Sequence, residues 1–350
     1  MRRLPGILLL TVATLIVIVA LLVSGLRLVL PQLDAWRPQL LEKISTLTGT
    51  PVDASQITAS WQNFGPTLDV RDIQVGLKDG GKMAVKRVTL ALDVWQSLLH
   101  MRWQFRDLTF WQLQVHTNTP IQTNDGGESL KTDRISDLFL RQFDHFTLRD
   151  SHLSFLTISG QRAELAVPQL TWLNGRNRHR AEGQLSLSSL TGQHGVMQVR
   201  MDLRDEDGLL NKGRVWLQAD DIDVKPWLGR WMQDNIALKS ARFSLEGWMT
   251  IEKGDVASGD VWLKKGGASW QGDDEVHHLS VDNLTAHLSH DKQSWGFYIP
   301  DTRIAIDDKP WPSGALAMAW IPAQDVGGDD HQRSDELRIR ASNLTLSGLS

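Results

Sequence analysis

The chain has 350 residues and a net charge of −4, with acidic and basic side chains nearly balanced, which gives no electrostatic case for nucleic-acid binding. It has no cysteine, so a disulfide framework, a thiol nucleophile and a cysteine-ligated metal are all excluded. Its 15 Trp stand against 1 Tyr, an aromatic usage that suits β-surfaces, lipid contact and membrane interfaces.

Residues 4–26 (LPGILLLTVATLIVIVALLVSGL) carry no charge and lie between Arg2 and Arg3 on one side and Arg27 on the other. A bilayer core of about 30 Å needs roughly 20 apolar residues, so the run is long enough to span. A cleaved secretory signal is the competing reading. Its apolar part is usually about 7–15 residues long and ends at a small-residue site, for which Val23-Ser24-Gly25 is a weak match. The run therefore predicts an anchor over residues 1–30, with Leu8, Leu15, Ile18 and Leu22 among its membrane-embedded residues. The positive-inside rule makes the N-terminus cytoplasmic and the rest exported.

Residues 31–48 (PQLDAWRPQLLEKISTLT) space Leu33, Trp36, Leu40, Ile44 and Leu47 as on one helix face, and Gly49 and Pro51 end the pattern. Two readings stay open: an amphipathic helix on the membrane surface over residues 31–50, or a helix packed on a core. From Val52 onward short apolar–polar alternations follow one another. Examples are residues 68–77, 184–190, 196–203, 214–219 and 243–251, with turns expected at Asp79-Gly80-Gly81, Asp125-Gly126-Gly127, Asp207-Gly208, Gly266-Gly267 and Asp307-Asp308. This pattern predicts a mostly β, hairpin-connected architecture over residues 51–350. Short helices are expected at residues 93–100, behind an Asp93 cap; at 130–143, with Ile135, Leu138, Phe139 and Phe143 on one face; and at 226–234.

One six-residue frame, apolar-x-x-apolar-Thr-apolar, recurs. It stands at residues 85–90 (VKRVTL), 105–110 (FRDLTF), 143–148 (FDHFTL), 167–172 (VPQLTW), 281–286 (VDNLTA) and 341–346 (ASNLTL). Strand side chains alternate faces, so an apolar-x-x-apolar step breaks the alternation unless a bulge resets it. The apolar-Thr-apolar part is back in phase, with Thr on the opposite face. After Phe110 the phase shifts again, to Trp111, Leu113 and Val115, and after Leu148 to Leu153 and Phe155. Strands bent in this way curl a sheet. The plainer alternative is that Leu-Thr-apolar is simply common in β-rich chains.

Chemistry-bearing motifs are weak. Residues 76–82 (GLKDGGK) match half of a phosphate-binding loop, but Met83 replaces its Ser/Thr and the following residues read as a strand, so we read a hairpin turn. His277, His278, His287 and His290 are close in sequence, yet His287 and His290 face opposite sides of a strand, which favours a solvated hairpin over a metal site. Asn283 and Asn343 head sequons that read as strand positions. No hydrolase or metalloprotease motif is present, so no catalytic residue, metal or cofactor is expected.

The order of these features carries a resemblance. A basic start and one anchor lead to a helix ending in Thr48-Gly49-Thr50-Pro51-Val52. Residues 68–75 (LDVRDIQV) follow, then the strand–helix–strand stretch 88–117 with Ser97-Leu98-Leu99 in its helix. Together they resemble the AsmA-like proteins of Gram-negative envelopes over the whole chain. Family members are far longer, so the chain reads as an N-terminal portion of one. The resemblance implies an elongated, curled antiparallel β-sheet groove, taco-like in section, apolar within and polar without. It implies inner-membrane anchoring, a periplasmic bulk, an outer-membrane far end, and phospholipids as the partner, their acyl chains in the groove. No nucleic acid is implied and no protein partner is identified. The expected groove lining is Val88, Leu90, Leu108, Phe110, Phe146, Leu148, Leu170, Trp172, Leu284, Leu344 and Leu346. A periplasmic scaffold for outer-membrane protein assembly, without lipid cargo, is the alternative function.

Overall fold

The computed structural model describes residues 17, 20–21, 23–48, 51–62, 65–76, 81–101, 103–120, 138–156, 162–189, 194–206, 208–225, 237–273, 275–291, 294–321 and 336–342. Among these residues, eighteen strands form one sheet. They are β1 (Val52–Asp53), β2 (Gln56–Gln62), β3 (Gly65–Gly76), β4 (Lys82–Leu92), β5 (Phe105–Pro120) and β6 (His145–Leu156). β7 (Arg162–Asn174), β8 (Arg178–Ser189), β9 (His194–Arg204), β10 (Lys212–Asp223), β11 (Leu238–Glu252) and β12 (Asp255–Gln271) continue it. β13 (Val276–His290), β14 (Trp295–Ile299), β15 (Ile304–Ile306), β16 (Lys309–Pro310), β17 (Leu316–Ile321) and β18 (Glu336–Ala341) complete it.

Lateral order follows chain order from β2 to β13 and then passes through β14, β17 and β18, while β1 adds to β3 and the small β15–β16 hairpin adds to β13. At about 4.8 Å per strand, the fifteen strands from β2 to β18 sweep an arc of roughly 70 Å. The substantial strand–strand contacts are all between ladder neighbours. The sheet is therefore one curled, open layer and not a sandwich.

One pairing departs from the expected antiparallel pattern: β5 and β6 run parallel. Parallel neighbours need a crossover of a dozen or more residues, which the connection from Pro120 to His145 supplies. Its described part is a π-type helical turn, Leu138–Gln142, inside the stretch expected to be helical.

Among the described residues no helix is long and apolar enough to cross a membrane. Residues 23–29 are helical, a 3-10 helix follows at Leu30–Trp36, and an α-helix runs over Arg37–Thr48. Of the expected apolar face, Leu33 and Leu40 are half-buried while Trp36 and Ile44 are exposed; Leu30 and Leu41, outside that face, are buried. The 3-10 helix packs on β2, where the Asp34 carboxylate accepts from the Ile57 amide at 2.9 Å and Arg37 donates to the Ser55 carbonyl. That contact covers the edge of the sheet.

The helix Val94–His100 starts at Asp93 as expected, the side chain accepting from the Gln96 amide at 3.0 Å. The helix expected at 226–234 lies outside the described residues. Gly266-Gly267 is not a turn but lies inside β12. A Cβ on Gly266 would stand 2.5 Å from the Phe243 ring and one on Gly267 2.5 Å from the Leu279 carbonyl, so close strand approach explains both.

Candidate functional site

Most of the strands are bent along one line, although β8 and β9 pair with each other without a break. Asp72, Gln112, Asp150, Asp221 and Asn283 all have positive φ, between 48° and 56°. Asp72 falls between the pairs Arg71–Arg87 and Ile73–Val85, and Gln112 between Arg87–Trp111 and Val85–Leu113. Asp150 falls between Arg149–Gln169 and Ser151–Val167, which brings Pro168 opposite it. Farther along, Asn283 and Lys264 are the skipped positions between Leu263–Leu284 and Lys265–Asp282. Pro168 has no amide to donate, and the interrupted ladder is where a sheet tolerates that.

At this crease two apolar residues three apart turn inward on the same strand, one on each side of the bend. The pairs are Val70 and Ile73, Val85 and Val88, Phe110 and Leu113, Val167 and Leu170, Ala219 and Ile222, and Val281 and Leu284. The skipped residue points outward: Gln112, Asp150, Asp221 and Asn283 are exposed, and Lys86 meets Asp72 there at 2.6 Å. On β6 the inward residue is Ser151, fully buried, which accepts from the Leu113 amide at 3.2 Å and donates to the Arg149 carbonyl at 3.0 Å.

On the inner face the registers join into an unbroken row, Ile57–Val70–Val88–Phe110–Leu148–Leu170–Gly183–Val199–Leu217–Gly247–Val261–Ala286. It crosses β2 to β13 without one charged or polar side chain. Beyond the crease a second row, Val75–Met83–Val115–Leu153–Leu165, forms the opposite wall. Gly183 leaves no room to spare: a Cβ there would meet the Gln169 carbonyl at 2.5 Å and the Leu170 backbone at 2.8 Å.

Eight expected lining residues, Val88, Leu90, Leu108, Phe110, Phe146, Leu148, Leu170 and Trp172, fall in one apolar cluster. Leu284 is 3% exposed, farther along the sheet and paired with Leu263. Leu8, Leu15, Ile18, Leu22, Leu344 and Leu346 lie outside the described residues. The expected lining omitted Val70, Leu217 and Val261, although each sits in a plain alternation, and Val85, although a frame begins there. It also missed the lining glycines, whose only sequence signal is an isolated Gly inside a strand. Trp111, expected in the inward set with Leu113 and Val115, faces outward, with the Arg149 guanidinium 5.5 Å from its ring.

Over β5–β7 the trough is partly filled by its own chain. Phe139 lies 5.2 Å from the rings of both Phe110 and Phe146, and Phe143 lies 5.2 Å from Phe105. Asn174 pins this turn, donating to the carbonyls of Phe139 at 2.6 Å and Phe143 at 3.0 Å. Its own oxygen accepts from the Trp172 indole at 2.7 Å and lies 2.7 Å from His179 Nδ1. His179 Nε2 is 3.2 Å from Asp205 Oδ1 but out of line for a hydrogen bond.

The outer face is mostly polar, with Trp111, Trp248 and Trp262 set among its charges. It carries a threonine ladder, Thr89–Thr109–Thr147–Thr171, and ion pairs such as Arg87–Asp69 at 2.6 Å, Arg200–Glu182 at 3.0 Å and Lys264–Glu246 at 2.8 Å. Glu246 is held below the usual carboxylate range by hydrogen bonds from Lys264 and the Trp216 indole. Two hollows of about 640 and 680 Å³ are rimmed by charged residues of this face, among them Glu182, Arg200, Arg204 and Lys212. The four clustered histidines take separate partners or none in common. His277 pairs with Asp307, His287 pairs with Asp260, and His290 stacks on Trp295 at 4.0 Å. Among the described residues no three metal-ligating side chains converge.

One curled layer, apolar along its inner face and charged along its outer face, defines a β-trough protein. A family model described as YhdP protein matches residues 1–350, and the chain belongs to that family. This confirms and narrows the resemblance read from the sequence. The chain is 74% identical over 349 residues to the Intermembrane phospholipid transporter YhdP of Escherichia coli (strain K12), an alignment covering 100% of this chain and 28% of that protein. The chain thus spans well under a third of that relative's length. No solved structure matches it.

Proposed function

We propose that this chain is the membrane-anchored section of a conduit that carries phospholipids between the inner and outer membranes through the periplasm, and so maintains the outer membrane's lipid balance and permeability barrier. Residues 1–30 anchor it, residues 31–50 lie at the membrane surface with Trp36 and Ile44 outward, and residues 51–350 form the trough. The observation that carries the reading is the apolar row from Ile57 to Ala286, unbroken across twelve strands. Exposing acyl chains to water costs about 0.8 kcal/mol per CH₂, and a continuous apolar wall removes most of that penalty while the headgroup stays wet. Any apolar lining serves this purpose, so the site has continuity where an enzyme has unique residues. The 74% identical relative is named as an intermembrane phospholipid transporter, which supports the same reading.

The test is a photo-crosslinking amino acid at single positions in cells. At Leu148 and Leu170 it captures phospholipid, and at the outward Arg149 and Gln169 it does not. Equal capture on both faces, or none on either, would overturn the conduit and favour a scaffold without lipid cargo.

A further inference from the structure

Among the described residues, a strongly apolar exposed surface lies beside the trough. Between β4 and β5 the chain projects as the helix Val94–His100 and a short return. On this projection Trp95 is 63% exposed, Leu98 61%, Leu99 76%, Met101 89% and Trp103 53%. It is not a frayed end, because its base is closed by hydrogen bonds. The Asp93 amide donates to the Gln104 carbonyl at 2.8 Å, Ser97 Oγ donates to the Asp93 carbonyl at 2.6 Å, and the Gln104 amide donates to Ser97 Oγ at 2.9 Å. A rigid framework thus holds five large apolar side chains out into solvent.

Three observations identify what covers them. First, the set is Trp at both ends with Leu and Met between, and Trp is the residue that concentrates where hydrocarbon meets headgroups. Second, the projection carries His100 and Arg102 against one acidic side chain, Asp93, whose carboxylate is taken up in capping the helix, a balance that suits anionic headgroups. Third, the projection belongs to the first four strands of the sheet from its β2 edge. That edge is where the chain leaving the N-terminal apolar run docks, through Asp34. Its two roots, Leu92 and Phe105, pair with each other and both belong to the apolar cluster of the trough.

We infer that this projection inserts into the interfacial layer of the bilayer that anchors the chain, and that it passes phospholipid onto the trough lining at Leu92 and Phe105. The insertion rests on the anchor reading of residues 1–30, and the delivery step rests in addition on the conduit reading. An apolar surface continuous from bilayer to trough spares the acyl chains a water gap at the step where they leave the membrane.

The chain has no native cysteine, so single cysteines can be labelled cleanly. Leu99→Cys, Met101→Cys and, as control, Lys253→Cys at the β11–β12 turn are each coupled to an environment-sensitive fluorophore. The whole chain is then inserted in vesicles of phosphatidylethanolamine and phosphatidylglycerol, with and without acyl-chain bromine. The first two labels shift to the blue and are quenched by brominated lipid, and the Lys253 label does neither. A Leu99 label that stays aqueous overturns the insertion. In cells, replacing Trp95, Leu98, Leu99 and Trp103 together by Ser removes most phospholipid capture at Leu148, and Leu99→Trp retains it. Unchanged capture in the fourfold variant overturns the delivery step. No capture at Leu148 in the otherwise unaltered chain is instead a failure of the conduit reading, which the fluorescence arm does not depend on.

Discussion

Leu108 and Thr109 are neighbours in sequence, are 2% and 6% exposed, and belong to opposite faces of β5. Leu108 is buried by the trough cluster, Thr109 by its own repeats on β4 and β6. Thr109 Oγ1 donates to Asp107 at 2.6 Å, and Thr89 Oγ1 donates to the other oxygen of the same carboxylate at 2.8 Å. Thr89 thereby ties β4 to β5, while Thr109 holds the shared carboxylate in place from within β5, and a cross-strand pair of this kind is worth up to about 1 kcal/mol. Thr109→Val keeps the shape and loses the charge-assisted bond. It is expected to lower stability by about 1–3 kcal/mol in urea denaturation while leaving lipid capture at Leu148 unchanged. Leu108→Ala is expected to lose about 2–5 kcal/mol in the same assay. The alternation that places these two residues was plain in the sequence. That four threonines share one row was not, because register is decided between strands.

At the scale of elements, the bend was legible and its address was not. The apolar-x-x-apolar step marks the crease on β4, β7 and β13, at Val85–Val88, Val167–Leu170 and Val281–Leu284. On β5 the step at Phe105–Leu108 is only a bulge at the strand's start, where the register slips between Ala91 and Leu92. The crease of that strand falls at Gln112, aligned with Lys86 on β4. A local pattern can announce a dislocation, but its alignment with four neighbours is a tertiary property. The crease yields a direct test, because Asp150 has φ 48°. Left-handed backbone suits Asp or Gly and strains a β-branched residue by roughly 1–2 kcal/mol. Asp150→Gly is expected to leave the urea midpoint unchanged or raised, and Asp150→Val to lower it.

At the scale of the molecule, the sequence disclosed one mostly β body and its apolar inner face. It did not disclose the parallel β5–β6 pair, because a crossover reads like any other long connection until its ends are placed. The β15–β16 hairpin is likewise tied to β13 by a contact between residues thirty apart. His277 lies 2.8 Å from Asp307, and the His278 amide donates to the same carboxylate at 2.7 Å. The Asp307 hydrogen bond raises His277 above the ordinary histidine value, and His277 with the His278 amide lowers Asp307. The histidine contribution is complete below its unfolded pKa and fades as pH rises through the raised value. The aspartate contribution is complete above its unfolded pKa and fades as pH falls through the lowered one. The tie is therefore strongest between roughly pH 4 and 6.5. Hydrogen exchange at Ile304–Ile306, corrected for intrinsic rates, is expected to quicken from pH 6 to pH 8, and Asp307→Asn to flatten that dependence.

The crease is written into the strands and not into the connections between them. Bore and length are consequently independent variables in this architecture. The distance from crease to strand end sets the width of the channel, and the number of strands sets its reach. A hairpin duplicated in tandem, each strand keeping its own three-residue step, lengthens the channel at constant cross-section. The same scaffold can thus be matched to compartments of different depth by counting ribs, with no redesign of the wall.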